Sequence, residues 1–251
     1  MSSVQLLSKL WKITQFQRPF VIGMIHVPDG IMVENMHDVP YVQEADICPA
    51  ITAHMTRACM AVNDALGNAS NQFLRGVQIL AAANQQAVAV AQACGFDFIR
   101  AECFTFSHVA DEGLMSACAG KLLRYRHSIG ADNIAIITDL KKKHSSHAIT
   151  SDLSIGDVAK ASEFFLADGL VITGKSTALK KENVFLEVQQ HSKLPVFVGS
   201  GVTDKNVSYF KKADGLIVGS HFKENGYWMN RLDGRKVRNF MQLVRRLKRE
   251  Q

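Results

Sequence analysis

Short apolar runs recur along the chain at residues 20–27, 30–34, 76–80, 97–101, 134–138, 169–173, 195–198 and 215–218. Each is nearly continuous rather than alternating, the pattern of parallel strands covered on both faces. Helix-period segments separate most of them. Ile51, Met55, Ala58, Val62 and Leu66 follow Pro49, a residue suited to a first helical turn. Leu114, Cys118, Leu122 and Tyr125 predict another helix, residues 84–94 an alanine-rich one, and Ile155, Val158, Ala161 and Phe165 a fourth, capped by Ser154. Eight strands alternating with helices predict an α/β fold, a TIM-type (β/α) barrel. Its 251 residues suit one such domain over 20–251, preceded by a leader or barrel-bottom helix over 1–19.

One junction departs from this rhythm. Only Pro28 and Asp29 separate Val27 from Gly30, whereas a parallel return takes about a dozen residues. Pro-Asp-Gly is good turn chemistry and predicts an antiparallel pair here. The barrel is therefore expected to be incomplete or rearranged, without a helix between its first two strands.

Composition narrows the class. The chain is 47% hydrophobic and 21% charged, enough for a large core, with no run long enough to span a bilayer as a helix. Five cysteines (48, 59, 94, 103 and 118) form no CxxC pair, so neither a disulfide framework nor a zinc knuckle is written here, and a reducing compartment is expected. The net charge of +6 is concentrated after Asp233, where seven basic residues face two acids. Val237, Phe240, Met241, Val244 and Leu247 line one helix face there, so the charge reads as the solvated side of a docked helix, with no specific nucleic acid expected. Residues 1–19 carry three basic residues and no acid, which leaves cytoplasmic and mitochondrial locations open.

Polar residues cluster at the strand ends, where a barrel places its chemistry. Gly199-Ser200-Gly201 and Gly219-Ser220 each follow a strand, and two adjacent glycine-rich ends offer backbone amides to a phosphate. A helix starting near Asp204 would aim its positive end there. Glu34, Glu102 and Asp139 are candidate general acids or bases, or ligands for a divalent cation. Lys143 and His144 follow Asp139 as a candidate charge-balancing or nucleophilic lysine and a proton carrier. His144 and His147 also have metal-compatible spacing. His26, Asn35, Gln78 and Arg100 are candidate substrate contacts, Arg100 as a two-point anion clamp. Lys223 stands near the second glycine turn, and Asp111 reads as a helix cap.

The segments Val21-Ile22-Gly23-Met24-Ile25-His26-Val27-Pro28, Val33-Glu34-Asn35-Met36-His37-Asp38-Val39-Pro40-Tyr41 and Gly76-Val77-Gln78-Ile79-Leu80 resemble the BtpA/SgcQ family. So do Arg100-Ala101-Glu102, Phe106-Ser107-His108-Val109-Ala110-Asp111-Glu112-Gly113, Asp139 with Lys142-Lys143-His144, and both glycine-serine turns. The resemblance implies a ribulose-phosphate-binding type of TIM barrel. Family members usually continue after His-Val-Pro into a proline-glycine loop and a first helix; this chain passes straight to Asp29-Gly30. A longer glycine-bearing loop is also usual after the sixth strand, where this chain has Thr173-Gly174-Lys175-Ser176-Thr177. A splice form or degenerate copy fits both departures.

The expected function is binding, in the complete form also conversion, of a small phosphorylated metabolite such as a sugar phosphate or nucleotide. A homo-oligomer is a compatible assembly. The competing expectation is a non-catalytic assembly or stability factor acting through protein partners.

Overall fold

The computed structural model describes residues 20–23, 29–173 and 178–249. The leader at 1–19, His26 and residues 174–177 lie outside them.

Eight parallel strands build a barrel: β1 (Phe20–Gly23), β2 (Gly30–Glu34), β3 (Leu74–Gln78), β4 (Phe98–Ala101), β7 (Ala135–Leu140), β9 (Gly169–Ile172), β10 (Val196–Gly199) and β11 (Gly215–Val218). They close in the order β1-β11-β10-β9-β7-β4-β3-β2. The other strands, β5 (His108–Ala110), β6 (Gly113–Met115) and β8 (Ser145–Ser146), form an antiparallel sheet ordered β6-β5-β8, inserted after β4 and β7. Six α-helices are described: α1 (Pro49–Leu66), α2 (Asn84–Cys94), α3 (Ala119–Ser128), α4 (Ile155–Phe164), α5 (Ala178–His191) and α6 (Gly234–Arg249).

Local chemistry explains these boundaries. Pro49 occupies the first turn of α1, where no amide is needed. A capping box opens α4: Ser154 accepts from the Asp157 amide, and the Asp157 carboxylate accepts from the Ser154 amide. Burial pulls the Val237, Phe240, Met241 and Val244 face of α6 into the core and leaves Arg235, Arg238, Arg245 and Arg246 on the outer side. The predicted helix around Leu114 begins later, because Leu114 pairs within β6 and α3 starts only at Ala119. Asp111 lies in the β5–β6 hairpin turn and caps no helix.

The barrel interior is filled. Met32, Leu74, Phe98, Ala135, Ile137, Val171, Phe197 and Ile217 form one buried cluster. Glycine makes room for the two phenylalanines: a Cβ at Gly76 would lie 2.1 Å from the Phe98 ring, and one at Gly169 would lie 3.1 Å from Phe197. Gly76→Ala is therefore expected to destabilise by about 1–3 kcal/mol, the usual cost of overpacking. Adding Phe98→Leu should recover most of that loss in denaturant unfolding. Additive losses would contradict this packing.

At the opposite end, a short motif recurs before three strands. Asp97, Asp168 and Asp214 each grip one residue of the neighbouring strand at two points. Their carboxylates accept the amides of Arg75, Ile136 and Val196 at 2.9, 2.8 and 2.8 Å, and their own amides donate to the same residues' carbonyls. Asp168-Gly169 and Asp214-Gly215 are thus strand-start signals, and Asp29-Gly30 has the same form. The Asp29 carbonyl accepts the Leu74 amide at 3.1 Å.

That pattern corrects the antiparallel reading of Pro28-Asp29-Gly30. β1 and β2 run parallel, and among the described residues Ile22 pairs with Gly30 and Gly23 with Ile31. The described part of β2 begins beside the end of β1. The rule of a dozen residues applies to a full-length return. Among the described residues no helix lies between β1 and β2. After β10, only the 3-10 turn Val207–Phe210 is found in place of the α-helix expected near Asp204.

Candidate functional site

Inward positions recur every second residue along a strand, so the last one on each strand lies at the C-terminal mouth. Above the apolar filling, these positions turn polar. Glu34 follows Met32, Gln78 follows Gly76, Arg100 follows Phe98, Asp139 follows Ile137 and Thr173 follows Val171. Register sets Glu34 beside Gln78, and the ring order continues through β4 and β7.

Two ion pairs organise this half of the mouth. Arg100 grips Asp139 with Nε to Oδ1 and Nη2 to Oδ2, both at 2.9 Å, and the Asp139 side chain is 1% exposed. Lys142 Nζ lies 2.7 Å from Glu102 Oε1. Glu102 is further fixed by the Gln78 amide group at 3.3 Å and by the Ala82 backbone amide at 3.0 Å. Asn84 donates to the Glu102 carbonyl at 2.7 Å and accepts its backbone amide at 3.2 Å.

Glu34 is the third carboxylate of this cluster and has no ion pair within 4 Å among the described residues. Burial pushes its pKa up to about 7; Arg100 opposes this, and Glu102 and Asp139 reinforce it. The fold thus favours protonated Glu34. The stabilisation is complete below the ordinary value of 4.5 and is lost as pH rises to about 7. Glu34→Gln should therefore gain Tm relative to the unmodified chain between pH 4.5 and 7, with a constant gap above. A pH-independent gap would contradict this. Asp139 is also raised by burial, opposed by Arg100, whereas burial lowers Arg100 and the carboxylates of Asp139, Glu34 and Glu102 together raise it.

The mouth departs from several sequence expectations. Asp139 occupies the Arg100 fork that was expected to clamp a ligand. The Asn35 side chain joins both polar groups of Leu80, accepting its amide at 2.7 Å and donating to its carbonyl at 3.1 Å, a structural tie. Of the three consecutive lysines, Lys142 reaches the carboxylates; Lys143 is half-buried and His144 exposed. His147 Nε2 lies 3.0 Å from the Lys142 carbonyl and its ring packs 5.3 Å from His108, so it does not pair with His144 toward a metal. Among the described residues no group of three or more histidine, cysteine or acidic side chains is placed to hold a metal ion. The oxygens of Glu102 and Asp139 are already committed to cations and amides.

Lys142, Asn84, His108 and Thr173 belong to the mouth and were not among the candidates. For Thr173, the two-residue step from Val171 was a usable signal. For Lys142, nothing in a run of three lysines marks which one turns inward.

The glycine turns occupy the other half of the ring. Phe197, Val198 and Gly199 of β10 pair with Gly215, Leu216 and Ile217 of β11, so the Gly199-Ser200-Gly201 and Gly219-Ser220 turns leave neighbouring strands at one end. Ser200 and Gly201 are both left-handed, at φ +64° and +72°. A Cβ placed on Gly219 would meet nothing within 4 Å. Lys223 is 9% exposed, and its carbonyl accepts Lys236 Nζ at 2.8 Å.

Several buried polar atoms at the mouth have no hydrogen-bond partner among the described residues: Gln78 Oε1, Thr173 Oγ1 and, on the inserted sheet, Ser145 Oγ. Such atoms are rare in folded proteins and mark places where water or a ligand completes the bonding.

Known proteins share this architecture. Tryptophan synthase subunit alpha from Legionella pneumophila superposes with a TM-score of 0.60 at 12% identity, covering 100% of both chains. KGPDC from Streptococcus mutans, in a ligand complex, gives 0.59 at 12% identity, covering 91% of this chain and 98% of that one. At these identities the likeness concerns the fold. In sequence, an uncharacterised mitochondrial protein of Caenorhabditis elegans is 45% identical, covering 95% of this chain and 97% of the relative. That alignment runs over 271 positions against 251 residues here, so at least 20 positions of the relative have no counterpart in this chain. The photosystem I biogenesis protein BtpA of Synechocystis is 32% identical, covering 86% of this chain and 74% of the relative. The BtpA family profile matches residues 25–246, and the chain belongs to that family.

Proposed function

We propose that the barrel mouth binds a small phosphorylated metabolite, its phosphate held by backbone amides of Gly199-Ser200-Gly201 and Gly219-Ser220. The observation that carries this reading is the β10–β11 register, which brings both turns to the same end as the charged cluster. Glycine at these positions lets main-chain donors approach an anion. The short turn at Val207–Phe210 removes a helix dipole from this account, leaving the amides as the attraction.

Glu34 supplies the chemistry. A carboxyl group near pKa 7 takes or gives a proton at neutral pH, as a general acid or base requires. Arg100–Asp139 and Lys142–Glu102 hold charge near it without moving. Structural relatives named for phosphorylated compounds, including N-(5'-phosphoribosyl)anthranilate isomerase from Pyrococcus furiosus, support the substrate class through shared fold. The test is a thermal-shift panel of sugar phosphates, nucleotides and their unphosphorylated counterparts. A ligand at 100 times its Kd should stabilise by about 2.7 kcal/mol. No shift across the panel would overturn the reading.

A second reading, a partner-docking factor, draws on Phe164, Phe165 and Leu166. They are 79%, 47% and 64% exposed in one run at the end of α4. The mitochondrial name of the Caenorhabditis elegans relative and the basic 1–19 segment support mitochondrial residence, which fractionation would check.

A further inference from the structure

Cations drawn into the body of this barrel meet carboxylates. Arg75 lies 3.5 Å from Asp97, Arg100 2.9 Å from Asp139, Arg126 2.9 Å from Asp168 and Lys142 2.7 Å from Glu102. Lys223 departs from that rule. It is as buried as Arg75, at 9% exposure, yet among the described residues its Nζ has no carboxylate within 4 Å and no hydrogen bond. That Nζ is not one of the sealed polar atoms, so solvent reaches it. A lysine held in this way is stable only where water or an anion completes the bonding of its ammonium.

The chain places Lys223 beside the second glycine turn. The Phe222 amide donates to the Gly219 carbonyl at 2.9 Å and the Lys223 amide to the Ser220 carbonyl at 3.0 Å, closing one 3-10 turn. At about 2 Å of rise per residue, the Lys223 backbone stands about 6 Å from that of Ser220. A flexible four-carbon stem spans such a gap. The backbone itself is pinned on its other sides. Lys223 bridges to Leu232, the Glu224 amide donates to the Arg231 carbonyl at 2.8 Å, and Lys236 Nζ donates to the Lys223 carbonyl at 2.8 Å. Lys236 is thereby committed to the main chain. His221, the other basic side chain of the turn, has its pKa lowered by burial, with Asp204 opposing and Lys236 reinforcing, and is neutral at physiological pH.

We propose that Lys223 supplies the positive charge of the phosphate site, its ammonium pairing with the anion held by the Gly199-Ser200-Gly201 and Gly219-Ser220 amides. The inference rests on the phosphate reading above and adds a side chain to it. The amides fix where the phosphate sits, and the ammonium neutralises it. A charge kept for a ligand has a further consequence. Without phosphate the ammonium is unmatched, so its removal costs the fold nothing, as is common where function and stability compete.

Lys223→Met keeps the apolar stem and removes the charge. In calorimetric titration of the full chain, inorganic phosphate should bind this variant about tenfold or more weakly than the parent, the usual loss for a hydrogen bond to a charged group. The Tm without phosphate should hold or rise. Lys223→Arg, which keeps the charge, should restore most of the affinity. Acetic anhydride labelling of the parent, read by mass spectrometry, needs no variant: saturating phosphate should protect Lys223 and leave the exposed Lys121 unchanged. Equal labelling of Lys223 with and without phosphate, or equal affinity of Lys223→Met and the parent, would overturn the Lys223 assignment and leave the amide cradle standing. A parent that binds no phosphate would overturn the phosphate reading together with this one.

Discussion

Asp139→Leu is expected to lower the free energy of unfolding by about 3–5 kcal/mol, the range for removing one partner of a buried ion pair. For a chain of this size that corresponds to a fall in Tm of roughly 10 °C. Arg100 is left behind, with its fork empty beside a packed barrel interior, and a guanidinium cannot shed its charge. The reverse change, Arg100→Met, is expected to behave differently. Asp139 can neutralise itself by binding a proton, and burial already raises its pKa. The Arg100→Met penalty should thus be small at low pH and grow as pH rises, while the Asp139→Leu penalty stays nearly constant. Removing both charges should recover most of the loss. Thermal denaturation of the three variants between pH 5 and 8.5 checks all of this; equal, pH-independent penalties would contradict the ion-pair account.

Gly219→Asp should abolish phosphate-dependent stabilisation without unfolding the chain. The new side chain meets no atom within 4 Å of its Cβ, so its direct structural cost is expected to fall within about 0.5 kcal/mol. Its carboxylate would stand beside the bound phosphate. At an effective dielectric near 20 and about 5 Å, each charge pair repels by about 3 kcal/mol. Affinity should fall by at least 100-fold. Gly219→Ala, which adds volume without charge, should retain most binding. Equal losses in both variants would point to a steric rather than electrostatic effect.

Much of this molecule was legible in its residues because buried parallel strands leave a strong apolar signature. All eight barrel strands lie close to their predicted positions; Arg100 and Asp139 were visible as polar residues ending apolar runs, and Gln78 as one lying within a run. What failed depended on contacts distant in sequence. Pro28-Asp29-Gly30 reads locally as a turn; only comparison with Asp168-Gly169 and Asp214-Gly215 reveals a strand start. Leu114 fits a helical period, but β5 and β8 complete a small sheet that captures its strand. Arg100 looked available to a substrate because Asp139, which occupies its fork, lies 39 residues away.

Among the described residues, β1 and β2 pair through two positions and β2 and β3 through five. This seam lies between the glycine turn after β11 and Glu34 at the end of β2, bordering the half of the mouth assigned to catalysis.

The most direct test of the shared cradle is amide NMR on the isotopically labelled chain during titration with inorganic phosphate. The Gly201 and Gly219 amide signals should move together and follow one Kd, and the Gly201 signal should stay still in Gly219→Asp. Shifts confined to one turn, or no shift at either, would contradict a phosphate site built jointly by β10 and β11.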